Sequence, residues 1–331
     1  MSSSTGHADN PATRARVAAR TRLRIPDSVG DKILHGVCLI ASLLTVAVIV
    51  AIAYQLLDGA KPAISRFGFG FLTHSQWRPN FGVFGAETLL YGTVVTSAIA
   101  LMLAMPIGVS IGLYLSELAP RGVRGIVGPL VEMLAAIPSV ILGFWGILVL
   151  SPFVNKYIEP SLHHHVGFIP IFGALPTTGN SVFTASLILA IMIVPIVASI
   201  SRDLFLTVPR ELKEGAAALG ATRWEIVRGV DLPSTASGVV AAGFLGLGRA
   251  LGEAIAVTQV IGAGTAIHRS LFLTGDTLAS RVAEQFQGTL TALHTASLFY
   301  LTVVLLAIGL VANLTAIWIS RHFDYQHRSA R

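Results

Sequence analysis

Six apolar runs, each about twenty residues or longer and nearly free of charge, punctuate the 331-residue chain between Ile33 and Ser320. That pattern decides most of what the chain can become. At 1.5 Å of rise per residue, about twenty apolar residues in a helix cross the roughly 30 Å of hydrocarbon in a bilayer. No water is available there, so each backbone N–H and C=O must be satisfied within the segment, which makes each run a helix. The predicted spans run from Ile33 to Leu57, Thr88 to Leu118, Ile126 to Leu150, Phe183 to Ser201, Ser234 to Ile261 and Thr295 to Ser320. Charged residues make up 12% of the chain, about half the share usual in a soluble domain. The expected fold class is therefore an all-α integral membrane protein. Its six transmembrane helices form one domain over 31–325, flanked by tails at 1–30 and 326–331 and with no separate soluble domain.

Lysine and arginine orient such a bundle, because segments retained inside the cell collect them. With the N-terminus inside, the inner segments hold sixteen of the 23 and the outer segments six, while Arg249 lies within a span. Both termini are expected to be cytoplasmic. The net charge of +6 is read as orientation rather than as a nucleic-acid surface, since the arginines sit beside spans and not in one aromatic-rich patch.

The N-terminal tail carries Arg14, Arg16, Arg20, Arg22 and Arg24 without apolar periodicity, and reads as a disordered basic segment. A cleaved signal peptide competes with a retained first helix, since Ala51-Ile-Ala53 imitates a cleavage site; the length of the apolar run favours the retained helix. Phe67, Phe69, Phe71, Phe81 and Phe84 in the loop 58–86 read as interfacial anchors. His163, His164 and His165 fall in a predicted loop, 151–180, and read as solvated side chains, because three consecutive residues cannot all face one metal ion from a regular element. Cys38 is the single cysteine, so an internal disulfide is excluded.

One polar stretch, 202–233, interrupts the apolar sequence between the fourth and fifth spans. It carries Arg210, Glu211, Lys213, Glu214, Arg223, Glu225 and Arg228. Loops of this length between spans are uncommon without a purpose. Ala216, Leu219 and Gly220 are three and four apart, which gives a short helix a small, flat face, and Pro233 is expected to end any helix before it. A solvated amphipathic helix is the bland alternative. The spacing is more specific: Glu214-Gly215-Ala216, three residues, Gly220, nine residues, Val230, one residue, Leu232-Pro233. It resembles the coupling motif of ABC importer permeases, Glu-Ala-Ala, three residues, Gly, nine residues, Ile, one residue, Leu-Pro, with Gly215 and Val230 as its two departures. The resemblance implies a type I ABC importer permease fold. It also implies a cytoplasmic loop in which Glu214, Ala216, Gly220, Leu232 and Pro233 serve ATPase coupling by inserting into a cleft of an ATP-hydrolysing subunit.

Charge inside the membrane is the other signal. Arg249 and Glu253 lie four apart within the predicted fifth span, where a helix would place them on one face as a possible pair. A lone ion at mid-bilayer costs at least about 2.5–3.5 kcal/mol, so such residues either pair or face a pathway. Two readings stay open: a pair that only fixes packing, and an Arg249 that offers its cationic fork to a passing oxyanion while Glu253 holds it between turnovers. Gly248 and Gly252 form a Gly-x-x-x-Gly pair that would admit another helix closely. Glu132 and Ser139, seven apart in the predicted third span, share nearly one face and could line the same pathway.

The segment Gly248-Arg-Ala-Leu-Gly-Glu-Ala-Ile-Ala-Val257 is similar to the fifth-helix signature of the phosphate importer permeases, and Val131-Glu-Met-Leu-Ala-Ala-Ile-Pro-Ser139 to their third-helix motif. Loop lengths are nearer to the PstC-like than to the PstA-like member of that permease pair. The resemblance implies a bacterial inner-membrane importer. Its other parts would be a second, PstA-like permease, two PstB-like ATP-binding subunits and an external PstS-like phosphate-binding protein. ATP and Mg would be used by the partner subunits and no cofactor bound by this chain, which has no Gly-x-x-x-x-Gly-Lys-Ser/Thr loop. A sulfate or molybdate permease would share the coupling motif but not the Arg249/Glu253 signature. An intramembrane enzyme would need a His-Glu-x-x-His cluster or its equivalent, which the sequence lacks, and a free-standing channel would have no use for a coupling loop.

Overall fold

The structure, a computed structural model, describes residues 27–174 and 178–328, with side chains described within 30–320. Most of the expected N-terminal tail and the end of the C-terminal one lie outside the described residues. The chain divides into two compact units, one ending at Gln55 and one beginning at Leu56. The first contains the start of helix α1 (Asp27–Phe67), on which Leu34, Ile40, Leu44 and Val50 are exposed.

The second unit holds the rest of α1 and the other long helices. These are α2 (Glu87–Leu118), α3 (Arg121–Ala135), α4 (Ser139–Val166), α5 (Val182–Thr207), α6 (Arg210–Ala218), α7 (Arg223–Gly252), α8 (Ile255–Ile261), α9 (Leu278–Gln285) and α10 (Ala292–Arg328). Among the described residues six helices, α1, α2, α4, α5, α7 and α10, are long and apolar enough to cross a membrane. The remaining described structure is helical or irregular, apart from one isolated bridge between Arg78 and Val83.

Between helices in lipid there is little hydrophobic drive, so close backbone approach and dispersion hold the bundle together. The α2–α5 contact shows how. A Cβ added at Gly108 would stand 2.8 Å from Val197, and one at Gly112 would stand 2.8 Å from the Arg202 nitrogen. Ala100 and Ala104 of α2 pack with Ile188, Leu189, Ile193 and Val197 of α5, and with Val257, Val260 and Ile261 of α8, in one buried cluster. α7 then lies against α5 and α10.

A second cluster joins Ala60 and Ala63 of α1, Phe71, Trp77 and Phe84 of the following segment, and Leu298 and Leu301 of α10. The rings of Phe71 and Tyr300 stack with centroids 4.4 Å apart. Two of the expected interfacial anchors, Phe71 and Phe84, are thus core residues, whereas Phe69 and Phe81 are exposed. At the same end, α9 docks on the start of α2. The Leu278 N–H donates to Thr93 Oγ1 at 2.9 Å, and the buried Arg281 pairs with Asp276 at 2.6 Å.

Span boundaries depart from expectation at four places. The first span runs on to Phe67, past its expected end at Leu57 and into the stretch expected to be loop. The third span is displaced: α3 ends at Ala135, and α4 begins at Ser139 behind Pro138. Pro138 has no N–H to give and its ring clashes with the carbonyl four residues back, so the apolar run 126–150 breaks there. The spanning helix instead continues to Val166 through two π turns, which puts His163–His165 in its last helical turn rather than in a loop. The fourth span extends to Thr207. The fifth starts at Arg223, inside the stretch expected to be loop, and stops at Gly252. The second and sixth spans fall where the sequence placed them.

Candidate functional site

The polar stretch folds as a helix–turn–helix between α5 and α7. Pro209, whose ring fixes φ, stands at the N-cap of α6. At the other end Leu219 is the C-cap, and Gly220 adopts φ +88°. The Gly220 N–H donates to the Ala217 carbonyl at 2.9 Å and the Ala221 N–H to the Ala216 carbonyl at 3.1 Å. These two bonds close a helix with a left-handed residue just past its cap, the position where glycine has no Cβ to strain. Thr222 then starts α7 through a reciprocal cap with Glu225.

This turn stands clear of the bundle. Leu219 is 92% exposed and Trp224 65%, and a Cβ at Gly220 would meet no atom within 4 Å. Glu214 is exposed and Ala216 half-buried on the same short helix. Leu232 and Pro233 are not at the turn; they lie half-buried in α7, beyond a π turn at Val227–Asp231. Pro233 does not end the helix, contrary to expectation. The Leu232 N–H reaches back to the Val227 carbonyl, so the bonding register shifts just before the residue that has no donor.

Among the described residues, Lys213 is the side chain that makes polar contacts between α6 and the bundle. Lys213 Nζ donates to Glu117 Oε1 at 2.6 Å and to the Phe205 carbonyl at 3.3 Å, and pairs with Asp231 Oδ1 at 3.0 Å. Asp231 is fully buried. Burial lowers the affinity of Lys213 for its proton, but the hydrogen bonds and charges of Glu117 and Asp231 outweigh it and hold the ammonium above its ordinary pKa of 10.5. A raised pKa on a cation means that the contribution of the pair is complete below 10.5 and lost only as pH climbs through the raised value. Lys213 therefore carries its charge throughout the physiological range. Sequence reading missed it. The available signal was the position of Lys213, one of four lysines, directly before Glu214 of the motif.

Arg249 and Glu253 are not a pair. α7 ends at Gly252, and Glu253 takes an extended conformation, φ −75° and ψ 116°. Its carboxylate turns forward instead and accepts the Ala256 N–H at 3.3 Å, at the start of α8. Three glycines in the last turns of α7, Gly246, Gly248 and Gly252, weaken the helix at this point. Arg249 is exposed in the last turn of α7 and makes no ion pair or hydrogen bond among the described residues. Gly248 and Gly252 border a cleft of about 400 Å³ against Gly309 and Asn313 of α10, and a Cβ at either would meet nothing within 4 Å. Among the described residues no helix fills the small-residue face.

Glu132 and Ser139 do not share a helix. Glu132, on α3, pairs with Arg202 of α5 at 3.0 Å, and Arg202 also holds Asp203 at 2.9 Å. Ser139 is the first residue of α4. His163 Nδ1 lies 2.9 Å from the Phe172 carbonyl and His165 Nδ1 2.7 Å from the Ser161 carbonyl. Among the described residues no group of three His, Cys, Asp or Glu side chains is placed to hold a metal ion.

Residues 104–325 match the family model described as "Binding-protein-dependent transport system inner membrane component". The phosphate transport system permease protein PstC of Mesorhizobium japonicum is 42% identical over 281 residues, covering 84% of this chain and 86% of that one. PstC of Xylella fastidiosa is 41% identical over 280 residues, covering 82% and 86%. PstC 1 of Mycobacterium tuberculosis is 37% identical over 280 residues, covering 78% and 83%. Among solved structures, a chain of a bacterial ABC transporter for import of the acidic polysaccharide alginate superimposes with a TM-score of 0.57 at 20% identity, over 88% of this chain and 99% of that one. Another, of the alginate transporter in complex with a pentasaccharide-bound periplasmic protein, gives 0.57 at 18% identity, over 90% and 98%. At these identities the likeness extends to the fold.

Proposed function

Since the chain belongs to the family of binding-protein-dependent transport system inner membrane components, we propose that it is the PstC-like permease subunit of an ATP-driven phosphate importer. It lines the translocation pathway together with a second, PstA-like permease. An external phosphate-binding protein delivers the anion, and two ATP-binding subunits, which use ATP and Mg, drive alternating access. The chain itself carries no ATPase site. It sits in a bacterial inner membrane with both termini and α6 on the cytoplasmic side.

The observation that carries the substrate reading is Arg249. A guanidinium in the last turn of a spanning helix, without a counter-charge among the described residues, is tolerated where it meets a partner or a pathway. Its two-pronged donor geometry suits a tetrahedral oxyanion. Glu253 supports it indirectly, by starting α8 where α7 ends and so fixing the break beside the arginine. Glu132 and Ser139 are assigned lesser parts: Glu132 braces α3 on α5, and Ser139 opens the third span. Coupling falls to Glu214, Ala216 and Gly220 on the exposed turn, with Leu232 and Pro233 at the root of α7. A permease for sulfate or molybdate is not favoured, because the PstC proteins that resemble this chain over most of its length are phosphate permeases by name.

The test is Arg249→Ala in the assembled complex. Phosphate uptake should be abolished while assembly with the other subunits persists, and Arg249→Lys should recover little. Normal uptake by the alanine variant would contradict the role given to this residue.

A further inference from the structure

Among the described residues, α6 meets the bundle through one polar joint. Among the described residues, Lys213 is the side chain of this helix that makes ion pairs or side-chain hydrogen bonds to the bundle. Its three acceptors come from three different spans: Glu117 at the end of α2, Phe205 near the end of α5, and Asp231 in α7. An ammonium has three N–H donors, so one group is committed to three spanning helices. Both carboxylates sit on π turns, Tyr114–Leu118 and Val227–Asp231. Such turns are local departures from α-helical bonding that collect at functional sites.

Lys213 is mostly buried, with its side chain 17% exposed, while Asp231 beside it is 1% exposed. The exposed docking features, Leu219, Gly220 and Trp224, lie elsewhere on the turn. Docking and transmission are thus separated: one face of the helix–turn–helix is open to a partner, and a different side chain ties it to the spans.

We propose that Lys213, with Glu117 and Asp231, is the positioning joint that transmits displacement of α6 to α2, α5 and α7. It converts partner movement into movement of the pathway without contacting the partner or the substrate. This rests on the reading of α6 as the ATPase-docking helix. A helix held only by its two chain connections could tilt without moving the spans. Three bonds from one buried cation oblige their cytoplasmic ends to follow it.

The test is made on the reconstituted complex with both permeases, the ATP-hydrolysing subunits and the phosphate-binding protein. The quantity read is phosphate moved per ATP hydrolysed. Lys213→Met alone would leave two carboxylates facing each other without their cation, an uncompensated arrangement that by itself destabilises a protein. The decisive variant therefore combines Lys213→Met with Glu117→Gln and Asp231→Asn, which removes the imbalance. It should assemble and hydrolyse ATP, yet its uptake per ATP should fall by about tenfold, the order expected when a coupling between two sites is lost. Lys213→Arg, which keeps the cation, should retain most of the ratio.

A wild-type ratio in the neutral triple variant would overturn the joint. So would loss of ATPase co-purification or of membrane insertion, since either assigns the triad to shaping the docking surface or to folding. The underlying docking reading fails separately, if Gly220→Asp leaves both co-purification and uptake intact. The joint then falls with it.

Discussion

Gly220 offers a perturbation whose cost can be divided between this chain and its partner. In this chain the position would strain any residue with a Cβ, but the space around it is empty. The backbone has φ +88°, and an added Cβ would meet nothing within 4 Å. Gly220→Ala therefore pays no steric penalty here beyond the left-handed conformation itself, about 1–2 kcal/mol. A reduced unfolded-state entropy returns about 0.4–1 kcal/mol of that. The net effect, about 1 kcal/mol, is confined to the end of α6 and corresponds to roughly a fivefold change in a local equilibrium. Aspartate tolerates the left-handed region better than alanine. Its anionic charge just past the C-terminal end of a helix adds back about 0.3–1 kcal/mol at an exposed site. Within the isolated subunit Gly220→Asp and Gly220→Ala should therefore be close in stability.

At a docked surface the two diverge. The aspartate brings a charge and extra volume into a close backbone contact, so ATP-driven uptake in proteoliposomes should collapse for Asp and survive, reduced by a few-fold, for Ala. Membrane insertion of both should match the wild type, and co-purification of the ATP-hydrolysing subunit is measured alongside. Uptake in the Asp variant equal to or better than in the Ala variant would refute docking at this turn and leave only backbone strain.

Other expectations are more local. Gly92 lies against the segment before α9, and a Cβ there would stand 1.9 Å from the Asp276 carbonyl oxygen. Gly92→Ala should lower the Tm of the detergent-solubilised protein by an amount matching about 1–3 kcal/mol, whereas Gly125→Ala, inside α3 with nothing within 4 Å, should not lower it and should raise it slightly through better helix propensity; equal values for the two would contradict this packing. In a Cys38→Ser background, Ser161→Cys and Gln287→Cys, both exposed, should react with an impermeant maleimide on intact cells. Glu211→Cys, exposed on α6, should react only after permeabilisation, and its labelling on intact cells would invert the proposed orientation. Glu253→Ala removes the carboxylate at the start of α8 and should cost about 1 kcal/mol, read as a lower Tm, while Glu253→Gln, which keeps an acceptor, should cost less.

Hydropathy located the number of spans because the cost of burying charge in lipid acts on every residue of a run, and six runs meet it. It misplaced the third span because Pro138 breaks a helix without changing the hydropathy of the window. The apolar stretch 126–150 is two helices, and the spanning one extends past Lys156 to the histidines. The turn in the polar stretch was legible because its residues are local in sequence, and Gly220 does occupy the left-handed conformation that its residue type invites. The end of the stretch was misjudged: a π turn absorbs Pro233, and such a turn leaves no mark in composition. The assumption that four residues apart means one face failed at Arg249 and Glu253, since it holds only while the helix lasts, and α7 ends at Gly252 between them. The Lys213 joint was invisible for another reason. Glu117 is 96 residues away in sequence, and contacts of that separation are made by packing rather than by pattern.

The most direct measurement is uptake of labelled oxyanion into proteoliposomes containing this chain, its partner permease, the ATP-binding subunits and the external binding protein. Phosphate should accumulate when ATP is supplied to the face bearing α6, and a large excess of sulfate or molybdate should leave its uptake unaffected. ATP-driven accumulation of sulfate or molybdate with none of phosphate would contradict the assignment.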